Sequence, residues 1–243
     1  MLREAGALEK LFPEVAGMSG VDQPREYHIA DVFDHTMMAL DAAAADPLVQ
    51  HPGDAEVMLG ILYHDVGKPA CAGRHPEDGR ITFYGHQSVS EEKARERLTH
   101  WRSPMIGAEP ENVARLAARH MFDTRADSTG RALRRFIRAV GVELVGKLLD
   151  VALCDRRAQR DPSRVDDLLA LRERIEMELS AKPPLSVKDL AISGRDLLER
   201  GYKPGPALGN ELARLLELVI EEPARNTREF LLENLSPPAG QAD

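Results

Sequence analysis

The chain has 243 residues, 43% of them hydrophobic and 30% charged, with a formal net charge of -8. That length allows one large or two small domains with a sizeable core, and the acidic balance excludes a polycation that coats nucleic acid over its whole surface. Two cysteines, Cys71 and Cys154, argue against a disulfide framework. There is no apolar run of membrane-spanning length and no signal-peptide pattern at the start, so a cytoplasmic, mostly helical protein is expected.

In chain order, residues 1–27 read as an N-terminal arm, with one helix over 4–12 followed by irregular chain rich in Pro and Gly. Helical periodicity predicts helices over about 30–45 and 54–65, the second capped by Asp54. A Gly-, Pro- and His-rich loop spans 66–86 and holds a brief extended piece at 80–84; long loops of this kind are more often functional than idle. Helices follow over 88–99, 110–120 from Pro110, 130–140, 142–159 and 165–181, the last with Leu168, Leu171, Ile175 and Leu179 on one stripe. Pro183-Pro184 marks a linker, helices over 186–191, 194–200, 207–222 and 226–234 form a small appendage, and 236–243 are expected to be a disordered tail. The fold class is all-α: a helical bundle over 28–182 with a C-terminal helical appendage over 185–235.

Chemistry concentrates first at His64-Asp65-Val66-Gly67-Lys68. Val57, Ile61 and His64 fall at i, i+4 and i+7, and Met58, Leu62 and Asp65 repeat the spacing, so both polar groups continue apolar stripes inward. A buried unpaired carboxylate is costly, and a divalent cation satisfies imidazole and carboxylate together. Gly67 and Pro69 are expected to end the helix and leave Lys68 as a cation beside the pair. Val145, Leu148, Ala152 and Asp155 form a similar stripe. Asp155 reads equally as a ligand or as a carboxylate paired with Arg156, Arg157 or Arg160, or as a cap. His35 alone reads more readily as a hydrogen-bonded core residue, His86 opens a helix after Gly85, and His120 ends one. Taken in order, His35, His64-Asp65, His86, His120 and Asp155 supply one ligand-type group at a time from successive helices, as metal sites in helical bundles do. His28, His51, His75 and His100 read as surface or loop residues, with His28 near enough to the first long helix to face the site.

The series His35, His64-Asp65, Asp155 resembles the HD-domain metal-dependent phosphohydrolases, in which those four positions ligate the metal. The resemblance narrows to the HD-bearing half of bacterial tRNA nucleotidyltransferases (CCA-adding enzymes). It rests on Leu11-Phe12-Pro13-Glu14-Val15, Gln23-Pro24, Tyr27-His28, Val32-Phe33-Asp34-His35-Thr36, His64-Asp65-Val66-Gly67-Lys68-Pro69, Phe83-Tyr84-Gly85-His86 and Arg134-Arg135-Phe136. In the appendage it rests on Ile192-Ser193-Gly194-Arg195-Asp196-Leu197, Gly201-Tyr202-Lys203-Pro204-Gly205-Pro206, Leu208-Gly209 and Asn226-Thr227-Arg228-Glu229. It covers roughly residues 8–235. The nucleotidyltransferase head, with its Gly-Gly phosphate loop and paired carboxylates, is not found, so the sequence is not expected to add nucleotides. What remains resembles the part that in some family members hydrolyses 2′,3′-cyclic phosphates and nucleotide phosphomonoesters.

The expected centre is a divalent transition metal (Ni, Mn, Co, Fe or Zn) held by His35, His64, Asp65 and Asp155, activating water and polarising a phosphoryl oxygen. Lys68 and Asp65 are the expected catalytic residues, with Lys68 neutralising phosphate charge. His86 and His120 would hold a second metal or phosphate, and a mononuclear site is preferred to a dinuclear one. Arg131, Arg134, Arg135 and Arg138 form a stripe with no acidic residue among them, which reads equally as a solvated face or as an RNA phosphate contact. For Tyr84 and Trp101 core packing is preferred over base stacking, and Gly67 and Gly85 read as loop punctuation. The leading expectation is therefore a phosphohydrolase acting on RNA 3′ ends or nucleotides, as 2′,3′-cyclic phosphodiesterase, phosphatase or 2′-nucleotidase. The alternatives are a tRNA-binding module partnering a separately encoded nucleotidyltransferase head, and a nucleotidase for free nucleotides.

Overall fold

The computed structural model describes residues 3–161 and 164–237. The chain divides into two compact units, Met1–Ala126 with Val142–Arg172 and Asp127–Gly141 with Glu173–Asp243. The protein is all-α, as the periodicity predicts, apart from one two-stranded ribbon among the described residues.

In the first unit the elements run α1 (Leu8–Leu11), α2 (Pro13–Ala16), α3 (Val32–Ala45), α4 (Ala55–Tyr63), α5 (Lys68–Cys71), β1 (Gly73–Arg74), β2 (Ile81–Thr82), α6 (His86–His100) and α7 (Pro110–Arg119). The single helix expected over 4–12 is shorter: it begins only at Leu8 and ends at Leu11, and Pro13 opens α2. Asp31 caps α3 by accepting from the Asp34 N–H at 2.8 Å. Asp54 caps α4 by accepting from Glu56 and Val57. The expected loop over 66–86 contains α5 and the antiparallel ribbon, which pairs Gly73 with Thr82 and Arg74 with Ile81. Pro69 therefore lies inside a new short helix rather than merely ending the old one.

After α8 (Gly130–Val140), α9 (Val142–Arg157) returns to the first unit and packs on α3, α4 and α7. Gly60 lets these helices approach: a Cβ there would already meet Leu116 and Val151 at 3.2 Å. Val15, Met18, Val32, Tyr63, Leu98 and Val113 are among the buried residues of this core, each contributing on the order of 1.5–3 kcal/mol when fully removed from water.

The helix α10 (Arg164–Ser180) precedes the C-terminal elements α11 (Gly194–Glu199), α12 (Pro206–Glu221) and α13 (Arg228–Glu233). The second unit is built around Leu197, Leu215, Leu216, Val219, Ile220 and Leu231. It differs from the expected 185–235 appendage in two respects: α8 packs on α12 and belongs with the C-terminal helices, and the unit resumes already at Glu173, within α10. Residues 238–243 of the tail expected to be disordered lie outside the described residues. No described helix is long and apolar enough to cross a membrane.

Candidate metal centre

The polar ends of the apolar stripes meet inside the first unit. His35 comes from α3, His64 and Asp65 from the turn after α4, His86 from the first residue of α6, His120 from the end of α7 and Asp155 from α9. His35, His64, Asp65, His86 and His120 are all buried. Their ligand atoms form two triads, His35, His64 and Asp155, and Asp65, His86 and His120, each within 4.8 Å. Asp65 spans the two: Oδ2 lies 3.1 Å from His64 Nε2, and Oδ1 lies 3.4 Å from His86 Nε2. The oxygen Oδ1 of Asp155 faces His35 Nε2 at 2.9 Å, while Arg156 donates to the carbonyl of Arg164 and Arg157 to Asp46.

All four histidines are oriented in the same way. Nδ1 of His35, His64, His86 and His120 faces the carbonyl of Ala158, Ile61, Phe83 and Ala117 respectively, at 3.3, 2.6, 2.8 and 2.7 Å. Donation from Nδ1–H to a carbonyl leaves Nε2 as the bare acceptor aimed inward, the arrangement that outer-shell partners impose on metal-binding imidazoles. Two such acceptors, on His86 and His120, face each other at 3.4 Å. The one fixed cation beside Asp65 is Lys68, whose Nζ lies 2.7 Å from Oδ2; the other close neighbours of its two oxygens are the imidazole nitrogens of His64 and His86. Acceptors crowded together without donors are unfavourable in a low-dielectric interior. A shared cation removes the conflict, so the residues present fit a divalent metal.

The electrostatics prepare the same state. Burial alone would raise Asp65, but the charges at His64 and Lys68 outweigh it and hold the carboxyl well below its ordinary range. Burial likewise opposes ionisation of Asp155, and the contact with His35 and the charge at His64 reverse it. Burial, reinforced by the charge at His64, pushes His120 down to about 4, so it is neutral at physiological pH. Burial also lowers His64, but the two carboxylates overcome it and raise that imidazole, so metal uptake there competes with a proton.

Two supporting residues escape sequence reasoning. Buried Gln23 accepts from Lys68 Nζ at 2.7 Å and thereby fixes the cation. Gln159 donates to Asp155 Oδ2 at 3.1 Å, holding the other oxygen toward His35. The i, i+4 spacing of Asp155 and Gln159 was a usable signal; Gln23 stood out only in the motif Gln23-Pro24, and its role was hidden because its partner lies 45 positions away. His28 packs edge-on against His35 at 4.7 Å and lines the cavity above the centre.

The arginine stripe does not have the unpaired character its sequence suggests. Arg131 pairs with Glu221, and both Arg135 and Arg138 with Glu217, all from α12. Arg134 is buried; it donates to Glu178 at 2.6 Å and to the carbonyls of Ile220 and Glu221. Its guanidinium is a structural fastener of the second unit. Arg134→Met is expected to cost roughly 2–3 kcal/mol by leaving Glu178 and two carbonyls without their donor, read from the midpoint of denaturant unfolding. Tyr84 also departs from expectation: it is 72% exposed rather than packed in the core. Trp101 lies at the surface too, 38% exposed, with its ring 4.3 Å from that of Phe12.

Comparison with known proteins places this geometry. The family described as tRNA nucleotidyltransferase domain 2, putative, matches residues 81–235. The chain is 34% identical over 227 residues to the A-adding tRNA nucleotidyltransferase of Deinococcus radiodurans, covering 89% of this chain and 48% of that protein. It is 33% identical over 222 residues to the CC-adding tRNA nucleotidyltransferase of Thermus thermophilus, covering 91% and 48%. The multifunctional CCA protein of Pasteurella multocida is 26% identical over 245 residues, covering 98% of this chain and 53% of that protein. The chain thus spans about half the length of the curated relatives it matches. With the match running through His86, His120, Asp155 and the whole C-terminal group of helices, the chain belongs to the tRNA nucleotidyltransferase domain 2 family.

Proposed function

We propose that this chain acts on transfer RNA as the RNA-holding part of a nucleotidyltransferase system, and that its first unit is also an HD-type metal-dependent phosphohydrolase. The RNA-holding reading is supported by the family match and by the names of the relatives; the comparisons favour it over hydrolysis. The hydrolase reading is supported by one structural observation, the two buried triads joined by Asp65. A module that only held RNA would have no use for six convergent acceptors at such desolvation cost.

A divalent transition ion, whether Ni, Mn, Co, Fe or Zn, supplies Lewis acidity and an activated water when bound. The two triads favour a pair of ions over the single ion preferred from the sequence. The remaining work falls to the chain's own groups. Lys68, braced by Gln23 and Asp65, presents positive charge to a phosphate at the cavity floor. The carbonyls behind the four imidazoles and Gln159 behind Asp155 keep the donors from turning away. The substrates this suits are phosphate esters at RNA 3′ ends, cyclic or monoester, or of nucleotides.

Purified protein is expected to contain transition metal, to bind tRNA, and to hydrolyse a 2′,3′-cyclic nucleotide or a 3′-phosphorylated oligonucleotide. Chelation should end hydrolysis and spare tRNA binding. Metal and tRNA binding without turnover on either substrate would leave the holding module alone. Turnover of free nucleotides without tRNA binding would favour the nucleotidase.

A further inference from the structure

The cavity above the metal centre measures about 690 Å³. That is within the roughly 300–1,000 Å³ of sites that take a small organic ligand, and far more than a phosphate ion needs. Its floor is Asp65, Lys68, His86, His120 and Asp155, whereas its lining also carries three large exposed side chains, Tyr84 at 72%, Met121 at 61% and Tyr27 at 54%, beside charged Arg25, Glu26 and Arg80. Large apolar side chains left in water together around a polar cleft mark a binding surface.

The two tyrosines are held in place by their backbones while their rings remain free. Tyr84 lies between the ribbon and α6, and Gly85 takes φ 78, a left-handed turn that a side chain would strain. His86 N–H donates to Phe83 O at 3.1 Å, closing this turn at a member of the Asp65, His86, His120 triad. Tyr27 N–H donates to Pro24 O at 3.1 Å, and its carbonyl accepts from Arg160 N–H at 2.8 Å, while His28 bridges to Gln159. Neither phenol group makes a hydrogen bond among the described residues. Both rings therefore stand exposed, on fixed backbone, around the cavity that also holds Lys68.

We propose that Tyr84 and Tyr27 form a stacking platform for the nucleobase of the substrate, so that this pocket recognises a nucleoside-bearing phosphate rather than phosphate alone. The proposal rests on the phosphate-binding reading of the centre given above. Stacking on an aromatic face tolerates any base.

The test is calorimetric titration of the metal-loaded chain with adenosine 3′-monophosphate and, separately, with inorganic phosphate. Tyr84→Ala should weaken nucleotide binding by about 5- to 150-fold, the range of base–aromatic stacking. It should leave phosphate binding and metal content unchanged. Tyr84→Phe should restore the affinity, and the double variant with Tyr27→Ala should lose more than either single one. Wild-type binding of the nucleotide no tighter than phosphate overturns the platform. So does a double variant that keeps full nucleotide affinity while Lys68→Ala loses it, an outcome that leaves the centre intact. If wild type binds neither ligand, the reading of the centre falls, and the platform with it.

Discussion

Asp65→Asn is expected to empty the centre of metal and reduce hydrolysis to background while the chain remains folded. Asp65 is the one carboxylate whose two oxygens reach toward different triads, at 3.1 Å from His64 and 3.4 Å from His86. The amide keeps the volume, so the surrounding core is undisturbed, but it removes the charge that two cations would share. Its loss should exceed the roughly 10–100-fold drop in metal affinity that follows removal of an outer-shell partner. His120→Asn gives the contrast, since His120 serves only the Asp65, His86, His120 triad. That variant should shed part of the metal, whereas Asp65→Asn sheds all of it. Metal analysis of both variants, with far-UV circular dichroism to establish folding, decides the matter. Full metal and full turnover in Asp65→Asn would end the hydrolase reading.

Gly67→Ala is the second large effect, and its cause is steric. The glycine has ordinary helical angles, φ -79 and ψ -21, so no turn demands it. A Cβ there would lie 2.2 Å from the carbonyl oxygen of His86 and 2.9 Å from the backbone nitrogen of Ser90. Both obstacles are main chain of α6 and cannot swing aside. Gly67 N–H also donates to Ser90 Oγ at 2.9 Å, fastening the turn after Asp65 to that helix. The methyl group must therefore push α6 away, at about 1–3 kcal/mol or more of stability. His86 moves with it, and a displacement near 1 Å costs on the order of 100-fold in rate. Thermal unfolding, metal content and turnover should all fall together, with the His35, His64, Asp155 triad the less affected. An alanine variant as stable and active as the parent would show that Gly67 only punctuates a loop, as its sequence context suggests.

The cluster of buried polar groups was legible because its members violate a pattern. His64, Asp65 and Asp155 end apolar helical stripes, and a polar group in such a place needs a partner. The helices were legible for the same reason, with some ends displaced, as at Leu8. Tyr84 was misjudged because its exposure depends on how Gly85 turns the chain, not on its neighbours' hydrophobicity. The arginine stripe stayed open between two readings because periodicity reports only what shares its own helix. The carboxylates that occupy it, Glu217 and Glu221, lie 79 to 90 positions further along.

By itself, then, the sequence determined which helices form and which of their faces are apolar. It also determined which donor types end those faces, since these follow from local spacing and side-chain chemistry. Only the tertiary structure decided that His35 meets Asp155 across 120 positions, that Asp65 joins two triads, and that Gln23 holds Lys68. Contacts of about 3 Å between distant residues are set by how helices pack, and a helical stripe fixes the face a donor occupies but not the partner that face meets.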